Sequence, residues 1–290
     1  MAKLIFGCGY LGLRVARLWR AAGDKVYVVT RSTQRAETLA AAGLVPIVTG
    51  VTAPSQVEIP QEVRTVLWAV GYSNVPGQSI HDVYVGGLAN VLRVLPANIG
   101  HFIHISSTGV YGQVTGGEVD ESSPCQPTRE GGRACLAAEE LLRASPLANK
   151  TVILRLAGIY GPDRIPRSKD LLAGAPIDAP SDGWLNLIHV DDAARIVLLA
   201  EHVVEPPKLY VVSDGQPVIR GDYYRELARL LGAPPPRFIQ PPADSPVAAR
   251  AASDKRINPR RLFAELSPAL LYPSYREGLA NVVHSSSLTP

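Results

Sequence analysis

Three glycines stand close together in Gly7-Cys8-Gly9-Tyr10-Leu11-Gly12. They follow a stretch that reads as a buried strand, Lys3 to Phe6, and precede one where Leu11, Val15, Leu18, Trp19 and Ala22 recur at helical spacing. A Gly-x-Gly-x-x-Gly pattern between a strand and a helix builds a cradle for an anion. Gly7 permits the tight turn, Gly9 lets the backbone approach a pyrophosphate, and Gly12 lets the helix pack on the strand. The free N–H groups at the helix start, at Tyr10 and Leu11, then face the anion, favoured by the helix dipole. The chemistry this predicts is binding of a dinucleotide. The competing reading is a glycine turn with no ligand.

The next polar residues bear on which dinucleotide. An acid about twenty residues past such a loop binds the ribose 2′-hydroxyl of NAD. Here the second strand ends in Thr30-Arg31-Ser32, with Arg35 close by and no acid. Arginine accepts a 2′-phosphate with charge-assisted bonds, so Arg31, Ser32 and Arg35 point to NADP, with NAD as the alternative. The bland reading of the pair is two solvated surface arginines.

Other reactive residues carry weaker signals. Ser106-Ser107 lacks the glycine elbow of a hydrolase nucleophile. Nothing local to Cys135 would lower its pKa. His81, His104 and His189 read as a surface, a strand-end and a structural histidine, and no His/Asp/Glu spacing suggests a metal.

These residues need a scaffold, and the chain supplies one. Val26–Val29, Val45–Val48, Val63–Val70, Phe102–Ile105, Thr151–Leu156 and Leu209–Val212 read as further strands. Helical segments fall between them: Thr33–Ala42, Val83–Leu95, a face of Ala134, Ala138, Leu141 and Leu142, and a run of Ala193, Ile196, Val197 and Ala200 with Asp191 as N-cap. Regular alternation predicts βαβ units: an α/β protein with a Rossmann doubly wound parallel sheet and a smaller C-terminal α/β substrate subdomain. The expected division is a dinucleotide-binding domain over 1–160, joined by about 186–213, a subdomain over 161–185 and 214–284, and a flexible tail over 285–290. The proline-rich stretches 162–180 and 234–246 read as loops or a small irregular subdomain. Ligands of such sheets bind outside the C-terminal strand ends, so the loops after residues 6, 71 and 105 are the candidate site. They hold the glycine loop, Gly71 with Tyr72, and Ser106 with Ser107.

Three further motifs carry a resemblance: Ile105-Ser106-Ser107-Thr108-Gly109-Val110-Tyr111-Gly112, Arg155-Leu156-Ala157-Gly158-Ile159-Tyr160-Gly161-Pro162, and Asn186-Leu187-Ile188-His189-Val190-Asp191-Asp192-Ala193. In order and spacing the chain resembles the extended short-chain dehydrogenase/reductase family, the NAD-dependent epimerase/dehydratase group. The resemblance implies that Ser107 polarises a substrate oxygen and that a Tyr-x-x-x-Lys pair supplies the proton. Setting Ala138-Glu139 on the family's Ala-Glu puts Gly131 at the tyrosine and Cys135 at the lysine. Neither does that chemistry: glycine has no proton donor and cysteine no permanent positive charge. The acid expected after the third strand is replaced by Gly50. A displaced acid would then be Tyr72 or Tyr111, with Arg133 as a cation, although Tyr111 also reads as a packing aromatic.

Composition narrows the classes. The chain has 290 residues, 46% of them hydrophobic, and a net charge of +3, too small to argue for nucleic acid or a membrane surface. The expected partner is a small-molecule substrate, and the resemblance implies a homodimer. The three cysteines make no disulfide or zinc pattern, and no signal peptide is evident, so the expected location is cytoplasmic. The expected function is an NADP-dependent oxidoreductase or epimerase/dehydratase-like enzyme on a small carbonyl or hydroxyl substrate, nucleotide-linked among the candidates. The alternative is a non-catalytic NAD(P)-binding sensor or regulator.

Overall fold

The computed structural model describes residues 1–53, 58–73, 76–202, 205–243 and 245–285. The first half alternates strand and helix: β1 Ala2–Phe6, α1 Gly12–Ala21, β2 Lys25–Thr30, α2 Thr33–Ala41, β3 Val45–Val48, β4 Val63–Trp68, α3 Gly87–Val94 and β5 His101–Ser107. Next come β6 Val114–Val119, α4 Glu130–Arg143, β7 Thr151–Leu156 and β8 Gly158–Tyr160. Seven parallel strands form the central sheet in the order β3-β2-β1-β4-β5-β7-β12, where β12 is Lys208–Val212. The order reverses between β1 and β4. That reversal opens a crevice at the strand C-termini, and both flanking loops enter it.

Burial explains the strand sequences. All five residues of β1 and all six of β7 are buried, as both faces of a parallel sheet must be. One face packs on Val15, Trp19 and, from α6 (Val190–His202), Val197. The other packs on Leu88 and Val91 of α3 and Leu142 of α4, around Phe6, Trp68 and Phe102. In α1 the buried set is Gly12, Val15, Ala16 and Trp19, the stripe expected of a helix on a sheet. At the N-terminal strand ends Lys3 is buried against Glu201, which also accepts from Trp19 Nε1 at 2.9 Å and Thr65 Oγ1 at 2.5 Å.

The remaining chain is made of α5 Ser168–Leu172, β9 Ile177–Asp178, β10 Trp184–Leu185, β11 Leu187–His189, β13 Val218–Ile219, α7 Arg220–Leu231, β14 Phe238–Ile239, α8 Pro246–Ala251, β15 Asp254–Ile257, α9 Arg260–Leu266 and α10 Tyr275–Ser285. Much of it packs around a third core of Tyr160, Leu171, Leu187, Tyr223, Leu227 and Leu279.

Several expected boundaries move. β4 ends at Trp68 rather than Val70, while β5 runs on to Ser107 because Ser106 and Ser107 pair with Arg155 and Leu156 of β7. The helical run expected from Val83 opens with a π turn over Asp82–Gly86 before α3 begins. Asp191 does not cap α6 from outside; it lies in the first turn. Its N–H donates to His189 Nδ1 at 3.3 Å, and its carboxylate accepts from Arg14 Nε at 2.8 Å. The proline-rich stretches are not purely irregular, since they hold α5, β9 and β14. The parallel pair β6–β15 was not expected at all. Of the expected tail, Ser285 closes α10, and 286–290 lie outside the described residues. Among the described residues no helix is long and apolar enough to cross a membrane, and no group of three His, Cys, Asp or Glu side chains is placed to hold a metal.

Candidate active site

A groove of about 720 Å³ lies over the switch point. The glycine loop forms its floor. Gly7 has φ +89°, and a Cβ there would meet the Ala69 carbonyl oxygen at 2.3 Å; a Cβ at Gly12 would meet the Gly7 carbonyl oxygen at 2.3 Å. Both glycines are therefore required by the backbone itself. Gly9 differs, because nothing lies within 4 Å of its missing Cβ. That open space is where a ligand backbone would pass. Leu11, the N-cap of α1, makes no side-chain capping bond; the Leu13 and Arg14 N–H groups donate to the Gly9 and Leu11 carbonyls at 3.0 Å each, which leaves the preceding N–H groups of Tyr10 and Leu11 to meet an anion. Tyr10 is pinned by its hydroxyl, which donates to the Pro162 carbonyl at 2.9 Å. The Arg14 and Arg164 guanidinium carbons stand 4.4 and 5.3 Å from its ring centroid.

At one end of the groove Arg31 and Arg35 line the wall beside Thr30 and Thr49. Arg35 Nη2 donates to the Cys8 carbonyl at 2.8 Å, and Arg31 Nη2 lies 3.5 Å from Ser73 Oγ. Ser32 is not in the lining; its Oγ accepts from the Arg35 N–H at 3.2 Å and caps α2. Among the described residues the permanently charged side chains lining the groove are Arg31, Arg35 and Arg164, with no Asp or Glu. A site with this lining and a glycine cradle fits a phosphate-rich dinucleotide. The family's cofactor therefore suits the residues present.

At the other end the groove is lined by Gly71, Tyr72, Tyr84, Ser106, Ser107, Cys135 and Ala138. Ser107 Oγ accepts from the Gly109 N–H at 3.0 Å and keeps its own proton for an oxygen in the groove. Ser106 turns the other way: its Oγ donates to Glu139 Oε1 at 2.6 Å. Glu139 is fully buried and is held by Arg155 through Nε at 2.9 Å and Nη2 at 2.6 Å, and by Arg143 Nη2 at 2.8 Å. Burial pushes this carboxyl up, but the bonds from Arg155 and Ser106 outweigh it and hold it below the usual carboxylate range.

The candidate acids separate. Tyr72 lines the groove, and its hydroxyl donates to the Gln78 carbonyl at 2.9 Å. Tyr111 does not line it. That ring is buried, its hydroxyl accepts from Arg155 Nη1 at 2.7 Å, and burial pushes its pKa up to about 12. Arg133 is exposed and donates to the Thr128 carbonyl at 2.9 Å, so it supplies no cation here. Arg129 does adjoin: its Nη2 and Ser107 Oγ lie 3.5 and 3.2 Å from the same missing Cβ of Gly109. Cys135 faces the groove as a thiol, its pKa raised to about 11 by burial. His104 lines the groove neutral, pushed down to about 4 by burial.

Sequence reasoning missed Tyr84, Arg129 and Arg164. Tyr84 shares helical spacing with Leu88 and Val91 and so reads as core. The two arginines sit in loops without a local signal of purpose.

The seven-stranded parallel sheet, its switch-point groove and its glycine cradle define a dinucleotide-binding α/β protein of the Rossmann class. The sequence profile of the NAD dependent epimerase/dehydratase family matches residues 4–213, and the chain belongs to that family. It is 33% identical over 144 residues to protein YeeZ of Escherichia coli, covering 50% of this chain and 51% of that one. The match thus spans about half the length of that curated relative. A functionally unknown conserved protein from Silicibacter pomeroyi superposes with a TM-score of 0.82 at 27% identity, covering 99% of each chain. UDP-glucuronic acid 4-epimerase from Bacillus cereus, in complex with NAD, gives 0.81 at 17% identity over 98% of this chain and 99% of that one, a likeness of fold alone.

Proposed function

We propose that this protein binds NADP in the switch-point groove and acts as an oxidoreductase or epimerase/dehydratase-like enzyme on a small carbonyl or hydroxyl substrate, nucleotide-linked substrates among them. The observation that carries the reading is the groove lining: a glycine cradle, three arginines and no acid. Arg31 and Arg35 would hold a 2′-phosphate, and Arg164 would lie against the pyrophosphate. The nicotinamide, when bound, gives or takes a hydride. Ser107 would polarise the substrate oxygen with the proton that Gly109 leaves it. NAD is the alternative cofactor.

Calorimetric titration with NADPH, NADP, NADH and NAD tests the binding half. NADPH is expected to bind about tenfold or more tighter than NADH, and Arg31→Ala to erase most of that gap. Failure to bind any of the four overturns the proposal. Turnover against nucleotide sugars and carbonyl compounds tests the second half. There Ser107→Ala should cost about a hundredfold in kcat, the scale for losing one polarising donor.

A second reading rests on α4, which presents Gly131 and Cys135 where the family carries its proton donor and cation. A protein that binds the dinucleotide as a sensor would show the same affinities with no hydride exchange. Turnover lost on Ser107→Ala counts against it.

A further inference from the structure

The groove's reactive end has a polar group that neither the sequence motifs nor the family's pattern assigns. Tyr84 sits on the π turn Asp82–Gly86 and lines the groove with Ser107, Tyr72 and Cys135. Its hydroxyl accepts from the Tyr72 N–H at 3.2 Å. A phenol has one proton and can also accept. The backbone N–H occupies an acceptor site, and the phenol's own proton finds no acceptor among the described residues. Burial raises the Tyr84 pKa, opposed by the Tyr72 N–H, so the group is a donor at neutral pH.

The turn that carries Tyr84 packs against α4, and Cys135 is the titratable neighbour that acts on Tyr84. The phenol therefore projects over the stretch of α4 that ought to supply a donor and does not. At Gly131 the missing side chain is replaced by apolar contact: a Cβ there would meet Ile80 Cδ1 at 3.4 Å. Cys135 is a neutral thiol and a weak donor. The π turn gives the aromatic this aim. Continued α geometry would put Tyr84 on the same face as Leu88 and Val91, which are buried in the core. The wider turn rotates it toward the groove, the use to which such single-turn insertions are often put.

We propose that Tyr84 is a cofactor-binding residue, its O–H donating to a sugar hydroxyl at the nicotinamide end of the bound dinucleotide and so standing in for the donors absent from Gly131 and Cys135. This rests on the reading of the groove as an NADP site. The test is the 290-residue chain with Tyr84→Phe, which keeps the ring and removes only the hydroxyl. NADPH and 2′,5′-ADP, which lacks the nicotinamide half, are titrated against both proteins. NADPH affinity is expected to fall about five- to tenfold, the scale for one hydrogen bond, with 2′,5′-ADP affinity unchanged. Equal NADPH affinity in the two proteins overturns the assignment and leaves the groove reading standing. Parallel losses for both ligands also overturn it, since the effect is then not local to the nicotinamide end. Absence of binding by the unaltered chain overturns the groove reading and this assignment together.

Discussion

Glu139 shows what one side chain does to a site it does not line. It sits between Ser106, Arg155 and Arg143 with no exposed surface, and Arg155 in turn holds the Tyr111 hydroxyl. Removing one partner of a buried pair leaves the other charge without compensation. Glu139→Ala is expected to lower stability by about 3–5 kcal/mol, seen as a lower denaturant midpoint with an unchanged slope. Residues that local geometry sets at the groove were legible in the sequence: Gly7 and Gly9, Arg31 just past β2, and Ser107 at the end of β5. Tyr84 and Arg164, which line the groove, and Arg129, which stands beside Ser107, were not, because chain packing rather than neighbours in sequence brings them there. Tyr111 was misplaced for the same reason. It lies four residues beyond Ser107, but its ring is buried outside the groove lining and its hydroxyl is taken by Arg155.

Among elements, the loop between β1 and α1 separates two demands on glycine that a motif merges. Gly12 answers to packing, since its missing Cβ would strike backbone, while Gly9 answers to the ligand, since its missing Cβ would meet nothing in the protein. Gly9→Ala should therefore leave the thermal midpoint nearly unchanged, within about 0.5 kcal/mol, and sharply weaken NADPH binding. Gly12→Ala should lower the midpoint itself. Equal thermal losses in the two variants would show that the distinction is wrong. The strands and helices of the sheet were readable from apolar runs and helical periodicity. The α6 boundary was not, because the cap is an imidazole: His189 Nδ1 takes the N–H that a serine or aspartate oxygen usually takes.

Across the whole molecule, stability should carry a pH signature from Asp214, just past β12. It is buried; one oxygen accepts from the Gln216 N–H at 2.9 Å, and the other has no hydrogen-bond partner among the described residues. Burial raises its pKa to about 7 from 3.8. A carboxyl with a raised folded-state pKa stabilises the fold fully below its unfolded value and loses that contribution as pH rises through the folded one. Asp214→Asn removes this dependence. Relative to the variant, the unaltered protein should lose on the order of 2 kcal/mol between pH 5 and pH 8, measured by denaturant unfolding at each pH. Identical pH profiles would refute the assignment. The β6–β15 pair was the part of the fold least visible in sequence: no local pattern announces a partner so far along the chain. That pairing also sets an order on the molecule's making. Val114–Val119 leaves the ribosome long before Asp254–Ile257 exists to pair with it. Through that interval the nascent chain carries a bare strand edge beside a half-finished sheet. This is the stretch where a chaperone would find its grip, and where a chain arrested before Asp254 would stick to its neighbours.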